Sequence, residues 1–181
     1  MKKTYFSTFQ LIVLTLFSAL IVAAKIALRL PIQLPGHSGI FWMAIIIVAT
    51  RVVPKKGAAS FVGIVSGIMA TFMGLGDFGS LNTLISYSAI GIGVDLALLL
   101  LGNPENLVVA TFAGIIGHFA KFLVKWAFGA ISGAPLGFVA LGLARSIISY
   151  LVFGALGGLL GGLTLLALKK AGFFTYLAEK K

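Results

Sequence analysis

The sequence contains no cysteine, two histidines and only four acidic residues among 181. Without cysteine there are no disulfides, thiol nucleophiles or Cys-ligated metals. Charged residues make up 10% of the chain, against about 25% in a soluble domain. No Gly-x-x-x-x-Gly-Lys-[Ser/Thr] run is present, so the chain does not hydrolyse nucleotide through a P-loop. His37 and His118 are 81 residues apart and form no His-x-x-x-His pair; neither a metal site nor any other cofactor is expected.

What is present is apolar. Hydrophobic residues are 60% of the chain and the mean hydropathy is +1.12. A soluble globular enzyme is excluded on composition, and a polytopic membrane protein remains. The formal net charge is +10. No basic stripe lies on a solvated element, so nucleic acid is not an expected partner. Lys and Arg flanking membrane spans, attracted to anionic head groups, account for the charge.

Apolar runs separated by turn residues predict an all-α integral membrane protein, a six-transmembrane-helix bundle forming a single domain over residues 1–181. The expected spans are about 8–28, 39–52, 57–75, 82–101, 107–128 and 138–168. The alternating ten-residue segments of a membrane barrel are missing. An even span count puts both termini on one side. Lys2, Lys3, Arg51, Lys55, Lys56, Lys169, Lys170, Lys180 and Lys181 share it, nine of fourteen cations, and the positive-inside rule makes it cytoplasmic. Met1-Lys2-Lys3 before an apolar run resembles a signal peptide. Its removal would leave five spans and split the termini, so it is read as a retained first span. The expected location is the cell (inner) membrane, multi-pass.

Polar residues can be phased at about 100° per helical residue. On the first span Ala19, Ala23 and Ala27 form a small-residue stripe suited to close helix contact, within the chain or with a partner. Thr15, Ser18, Lys25 and Arg29 lie roughly opposite; Lys25 and Arg29 either line an interior or snorkel to head groups. Thr111, Gly114, His118, Lys121 and Lys125 share a face of the fifth span, which would be costly against lipid. Ser88, Gly91 and Asp95 align on the fourth. Asp95 is expected to pair with His118 or with a partner's cation, structurally or functionally. The outer half collects Lys25, Arg29, His37, Lys121, Lys125 and Arg145 against one carboxylate, Asp77. That asymmetry predicts a site open to the outside for a solute with anionic groups. Trp42 and Tyr87 would stack on a ring of that solute, or serve as interface-belt aromatics.

Gly36-His37-Ser38-Gly39 offers a second reading, an intramembrane serine hydrolase using Ser38 and His118. A base must lie about 3 Å from its nucleophile. The span positions instead place Ser38 near the outer surface and His118 near mid-membrane. A turn with Ser38 as helix cap is the plainer expectation. A third reading is a structural subunit of a membrane complex, with the polar stripes joining helices. Glycines at 154/158/162 and 157/161, and at 63/67, predict close helix packing or sliding surfaces.

Six spans in 181 residues, the Ala19-Ala23-Ala27 stripe and the Pro/Gly loop before the second span resemble the S component of an energy-coupling factor (ECF) vitamin transporter, its substrate-binding membrane subunit. The chain is most similar to the YkoE-type thiamine or hydroxymethylpyrimidine subunit, through Pro54-Lys55-Lys56-Gly57-Ala58-Ala59, Gly91-Ile92-Gly93-Val94-Asp95 and Ala144-Arg145-Ser146-Ile147-Ile148. The resemblance implies a non-enzymatic subunit that captures a vitamin or precursor at its outer face. It implies partnership with a transmembrane coupling protein and two ATPase subunits, and toppling in the membrane lipid. Ala19, Ala23 and Ala27 match the stripe that meets the coupling protein, and Leu30 to Gly39 the gating loop. Gly63 and Ala70 stand where the YkoE-type pattern has carboxylates, which turns the expectation from thiamine toward a more anionic solute. The expected solute-binding residues are Lys25, Arg29, His37, Trp42, Tyr87, Asp95, His118, Lys121 and Arg145.

Overall fold

The computed structural model describes residues 5–27, 34–76, 79–132 and 142–179. Among them the chain is all helical, with no strand. In chain order the helices are α1 (Thr8–Ala27), α2 (Gly39–Val52), α3 (Ala58–Phe72), α4 (Gly79–Leu101), α5 (Leu107–Ile131), α6 (Leu143–Lys170) and α7 (Phe173–Glu179). Four of them, α1, α4, α5 and α6, are long and apolar enough to cross a membrane. α2 and α3 are apolar but hold only 14 and 15 residues, about 21–23 Å of rise against a hydrocarbon core of about 30 Å. The chain is a multi-pass membrane protein.

Local chemistry sets the helix ends. Pro54 lacks the N–H that would continue α2. Gly57 opens α3 at φ +84°, a left-handed conformation that a Cβ would strain. Asn106 caps α5 by accepting from Val108 N at 2.9 Å.

Contacts run antiparallel between α3 and α4, where Gly63 faces Tyr87 and Gly91, and between α5 and α6, where Gly114 faces Gly154 and Gly158. α6 is glycine-rich on two faces. Gly154, Gly158 and Gly162 lie against α5, whereas Gly157 and Gly161 lie against Ile40, Met43, Ala44 and Ile47 of α2. The two four-residue repeats therefore serve two different neighbours. With no hydrophobic drive between helices in lipid, such backbone approach supplies dispersion contact. α1 packs mainly on α3; Ser18 donates to Leu14 O at 2.9 Å and Val62 O at 3.3 Å. Of the alanine stripe, Ala19 is half-buried and Ala23 and Ala27 are exposed, so the stripe looks away from the bundle.

The helices thus leave two polar ends. One gathers Tyr5, the 53–57 turn, the 102–106 loop and Lys169. There Glu105, 11% exposed at its side chain, accepts from Lys169 Nζ at 2.6 Å and from Arg51 Nε, tying α2, the α4–α5 loop and α6. The Lys169 and Arg51 hydrogen bonds hold the Glu105 carboxyl below its ordinary value of 4.5. The folded state therefore protonates only at lower pH than the unfolded chain. The stabilisation is complete above the unfolded value and is lost as pH falls through the folded one. Thermal unfolding in detergent between about pH 6 and pH 3 should fall more steeply for the wild type than for Glu105→Gln. Parallel profiles would remove Glu105 from the acid response.

Candidate functional site

The other end gathers the C-terminus of α1, the 34–38 turn, the start of α4 and the C-terminal half of α5. Trp42, one turn into α2, stacks on Tyr87 of α4 with ring centroids 5.0 Å apart and planes at 27°. Both side chains are buried, at 1% and 2% exposure. Lys121 of α5 places its ammonium 3.6 Å from the Trp42 ring centroid and 5.2 Å from that of Tyr87. Lys25, in the last turn of α1, lies 5.2 Å and 5.5 Å from the same two rings, and its ammonium donates to Leu75 O. Two cations from two helices thus share one aromatic pair, each attracted by the ring quadrupoles.

Beside them is a cavity of about 20 Å³, lined by Lys25, Lys121, Lys125, Asn82, Ser86 and Tyr87, with Gly76 and Thr83 at its edge. That is room for about one water. Asn82 Oδ1 accepts from Ser86 Oγ at 2.9 Å. The α4 contribution of Asn82, Thr83 and Ser86 is missing from the residues expected on sequence grounds. Its signal was available: polar residues at i, i+1 and i+4 inside an apolar run, one face of one helix.

His118 lies one turn below Lys121 and is fully buried. Its Nδ1 donates to Tyr150 O at 2.9 Å, and its ring stacks on Tyr150 at 4.6 Å. The 34–38 turn presses on the other side. A Cβ added to Gly39 would come within 2.4 Å of His118 Nε2, and one on Gly36 within 3.0 Å of Cε1. Gly36 sits at φ +80°, and Ser149 Oγ donates to Pro35 O at 2.5 Å. The turn therefore reaches the level of His118, which corrects the expected separation in depth between Ser38 and His118. The short α2 begins inside the bundle rather than at its surface.

That proximity assembles no catalytic pair. His118 Nε2 and Trp42 Nε1 are buried and make no hydrogen bond among the described residues, so Ser38 does not bond His118. Ser38 also makes no side-chain cap bond, contrary to the expected cap.

The remaining expected residues lie apart. His37 is turned into its own loop, with Nδ1 2.8 Å from Leu34 O. Among the described residues Asp95 pairs with neither His118 nor a cation. Its carboxylate accepts from Ser60 Oγ at 2.6 Å, Ser60 N at 2.7 Å and Ala59 N at 3.3 Å, covering the first turn of α3 at the opposite end. This corrects its assignment to the solute site; the positive end of the α3 dipole takes the acid instead. Arg145 is exposed in the first turn of α6 and does not line the cavity. Arg29 and residues 30–33 of the expected gating loop lie outside the described residues. Among the described residues, no three His, Cys, Asp or Glu side chains cluster as metal ligands do.

The site is thus a lysine-rimmed aromatic pair at one end of a membrane bundle, with the buried His118 one turn away along α5. Neither a curated protein nor a solved structure shows significant similarity to the chain. Residues 5–120 match the family described as the ABC-type cobalt transport system, permease component. This match includes every cavity-lining residue up to Tyr87, together with His118, and spans more than half of the chain. The protein therefore belongs to that family of ABC-type transporter membrane components.

Proposed function

We propose that this chain is the solute-binding membrane subunit of an ECF-type importer, an S component, and that it takes a small anionic solute at the Trp42–Tyr87 site. The carrying observation is the cavity ringed by three lysines, beside the stacked Trp42–Tyr87 pair whose indole Nε1 is buried without a hydrogen bond among the described residues. A buried polar atom without a partner costs about 1–3 kcal/mol, and an oxygen of a bound anion would accept from the Trp42 N–H and return that cost.

Charge selects the class of solute. Of the four acidic side chains, Asp95 is held by α3, Glu105 is tied to Arg51 and Lys169, and Glu179 ends α7. Asp77 lies outside the described residues and follows the cavity-lining Gly76 in sequence. Three ammonium groups therefore outnumber the acids within reach, whatever Asp77 does. A carboxylate or phosphate matches that field, whereas a divalent cation such as cobalt is opposed by it. A water-sized cavity cannot hold such a solute as it stands. Binding requires the rings to part or the 34–38 turn to lift, in keeping with a gating role for that loop.

The basic end carrying Arg51, Lys55, Lys56 and Lys169 is cytoplasmic on this reading, with both termini, in a six-span bundle of the inner membrane. The lysine site then faces outward. On this reading ATP hydrolysis falls to partner ATPases reached through a coupling protein, in keeping with the lack of a P-loop motif in the sequence, with the outward Ala19-Ala23-Ala27 stripe as the contact.

Native mass spectrometry of the purified protein tests this directly. A retained organic anion that survives chelator treatment is the expected result. Stoichiometric cobalt lost to chelator, with no organic mass, would overturn it.

A further inference from the structure

At the end opposite the Trp42 cavity lies an open cleft of about 700 Å³ between the 53–57 turn, the start of α3 and the last turns of α4. We propose that it is a binding site for an anionic phospholipid, with the phosphate on Lys55 and Lys56 and an acyl chain along α4. The two walls of the cleft differ in chemistry. One carries Arg51, Lys55 and Lys56; the other carries Ile92, Leu96 and Leu99. Those three apolar residues are 46%, 54% and 57% exposed. Their i, i+4, i+7 spacing makes one continuous apolar strip along α4, parallel to lipid chains.

The charge on the basic wall is available to a ligand. Asp95, the only acid in the lining, has its oxygens on the backbone of Ala59 and Ser60 and on the Ser60 hydroxyl. Lys56 is exposed, and its side chain makes no bond among the described residues. Lys55 leans over Tyr5 and Phe6, 5.4 Å and 5.8 Å from their ring centroids, and donates to Tyr5 O, which holds its ammonium at the mouth of the cleft. Arg51 is shared with Glu105 and closes the inner wall. A site of this size suits a head group and the first part of its chains. Basic pockets between membrane helices on the cytoplasmic side commonly hold acidic lipid heads. A soluble phosphate would use only the basic wall and leave the apolar strip uncovered.

The experiment is native mass spectrometry of the full chain, mixed with equal amounts of phosphatidylglycerol and phosphatidylcholine. Phosphatidylglycerol adducts should predominate in the wild type. Lys55→Gln/Lys56→Gln should reduce that excess by about five-fold per lysine, with phosphatidylcholine adducts unchanged. Excess glycerol phosphate should not displace the lipid. Should the double variant fail to fold, Lys56→Gln alone removes the exposed cation and should show about five-fold. An unchanged preference in a folded variant, or displacement by glycerol phosphate, overturns the proposal. Binding of phosphatidylcholine as strong as that of phosphatidylglycerol in the wild type does so too.

Discussion

Lys121→Ala should empty the purified protein of its solute, while Arg145→Ala should leave retention within about threefold of the wild type. Both residues are basic and belong to the same half of the chain's charge pattern, but the structure separates them. Lys121 stands 3.6 Å from the Trp42 ring centroid and lines the cavity; Arg145 is exposed on the first turn of α6. Truncating one partner of a buried, charged hydrogen-bonded contact costs about 2–5 kcal/mol, or roughly 30- to several-thousand-fold in affinity. The readout is the fraction of protein carrying retained solute in native mass spectra, set beside a thermal melt that shows each variant folded. Equal retention by Lys121→Ala and wild type would move the site away from the aromatic pair. Equal loss in both variants would mean that a general positive field, rather than this cluster, holds the solute.

The second large effect concerns how the bundle is held. Gly158→Ala should destabilise the protein by about 1–3 kcal/mol, the usual cost of forcing atoms into a filled interior. Gly129→Ala should be neutral or slightly stabilising, since alanine outranks glycine by up to about 1 kcal/mol in a helix. Both glycines are buried within helices, so burial does not distinguish them. The difference lies in what a Cβ would meet. At Gly158 it would stand 2.3 Å from Ala110 O and 2.9 Å from Thr111 Cα, both backbone atoms of α5. Neither can turn aside as a flexible side chain would, so α5 and α6 must separate. At Gly129 no atom of the described residues lies within 4 Å of that position. Thermal unfolding in one detergent is a sufficient comparison. If the two substitutions shift the midpoint alike, close backbone contact between α5 and α6 is not what stabilises this bundle. Separation of those helices would also shift His118, whose Cβ lies 2.9 Å from the Cβ position of Gly154, so a loosened Gly158→Ala should bind solute more weakly as well.

Composition and periodicity by themselves determined that this is a helical membrane protein with basic residues at its turns. They located the glycine repeats of α6 and the shared face of His118 and Lys121. Those features depend on spacing along one helix, which 3.6 residues per turn makes readable. The tertiary structure alone decided which faces meet. It brought Lys25 and Lys121 to the same two rings and left Arg145 apart. It gave Asp95 to the start of α3 rather than to His118. It set the Gly36–Gly39 turn against His118, because α2 is short and starts below the end of its neighbours. A sequence records the angle and rise of each residue about its own axis, but not the axial offset or rotation of one helix against another. Those depend on which backbones approach at glycine, and that is a property of pairs of helices.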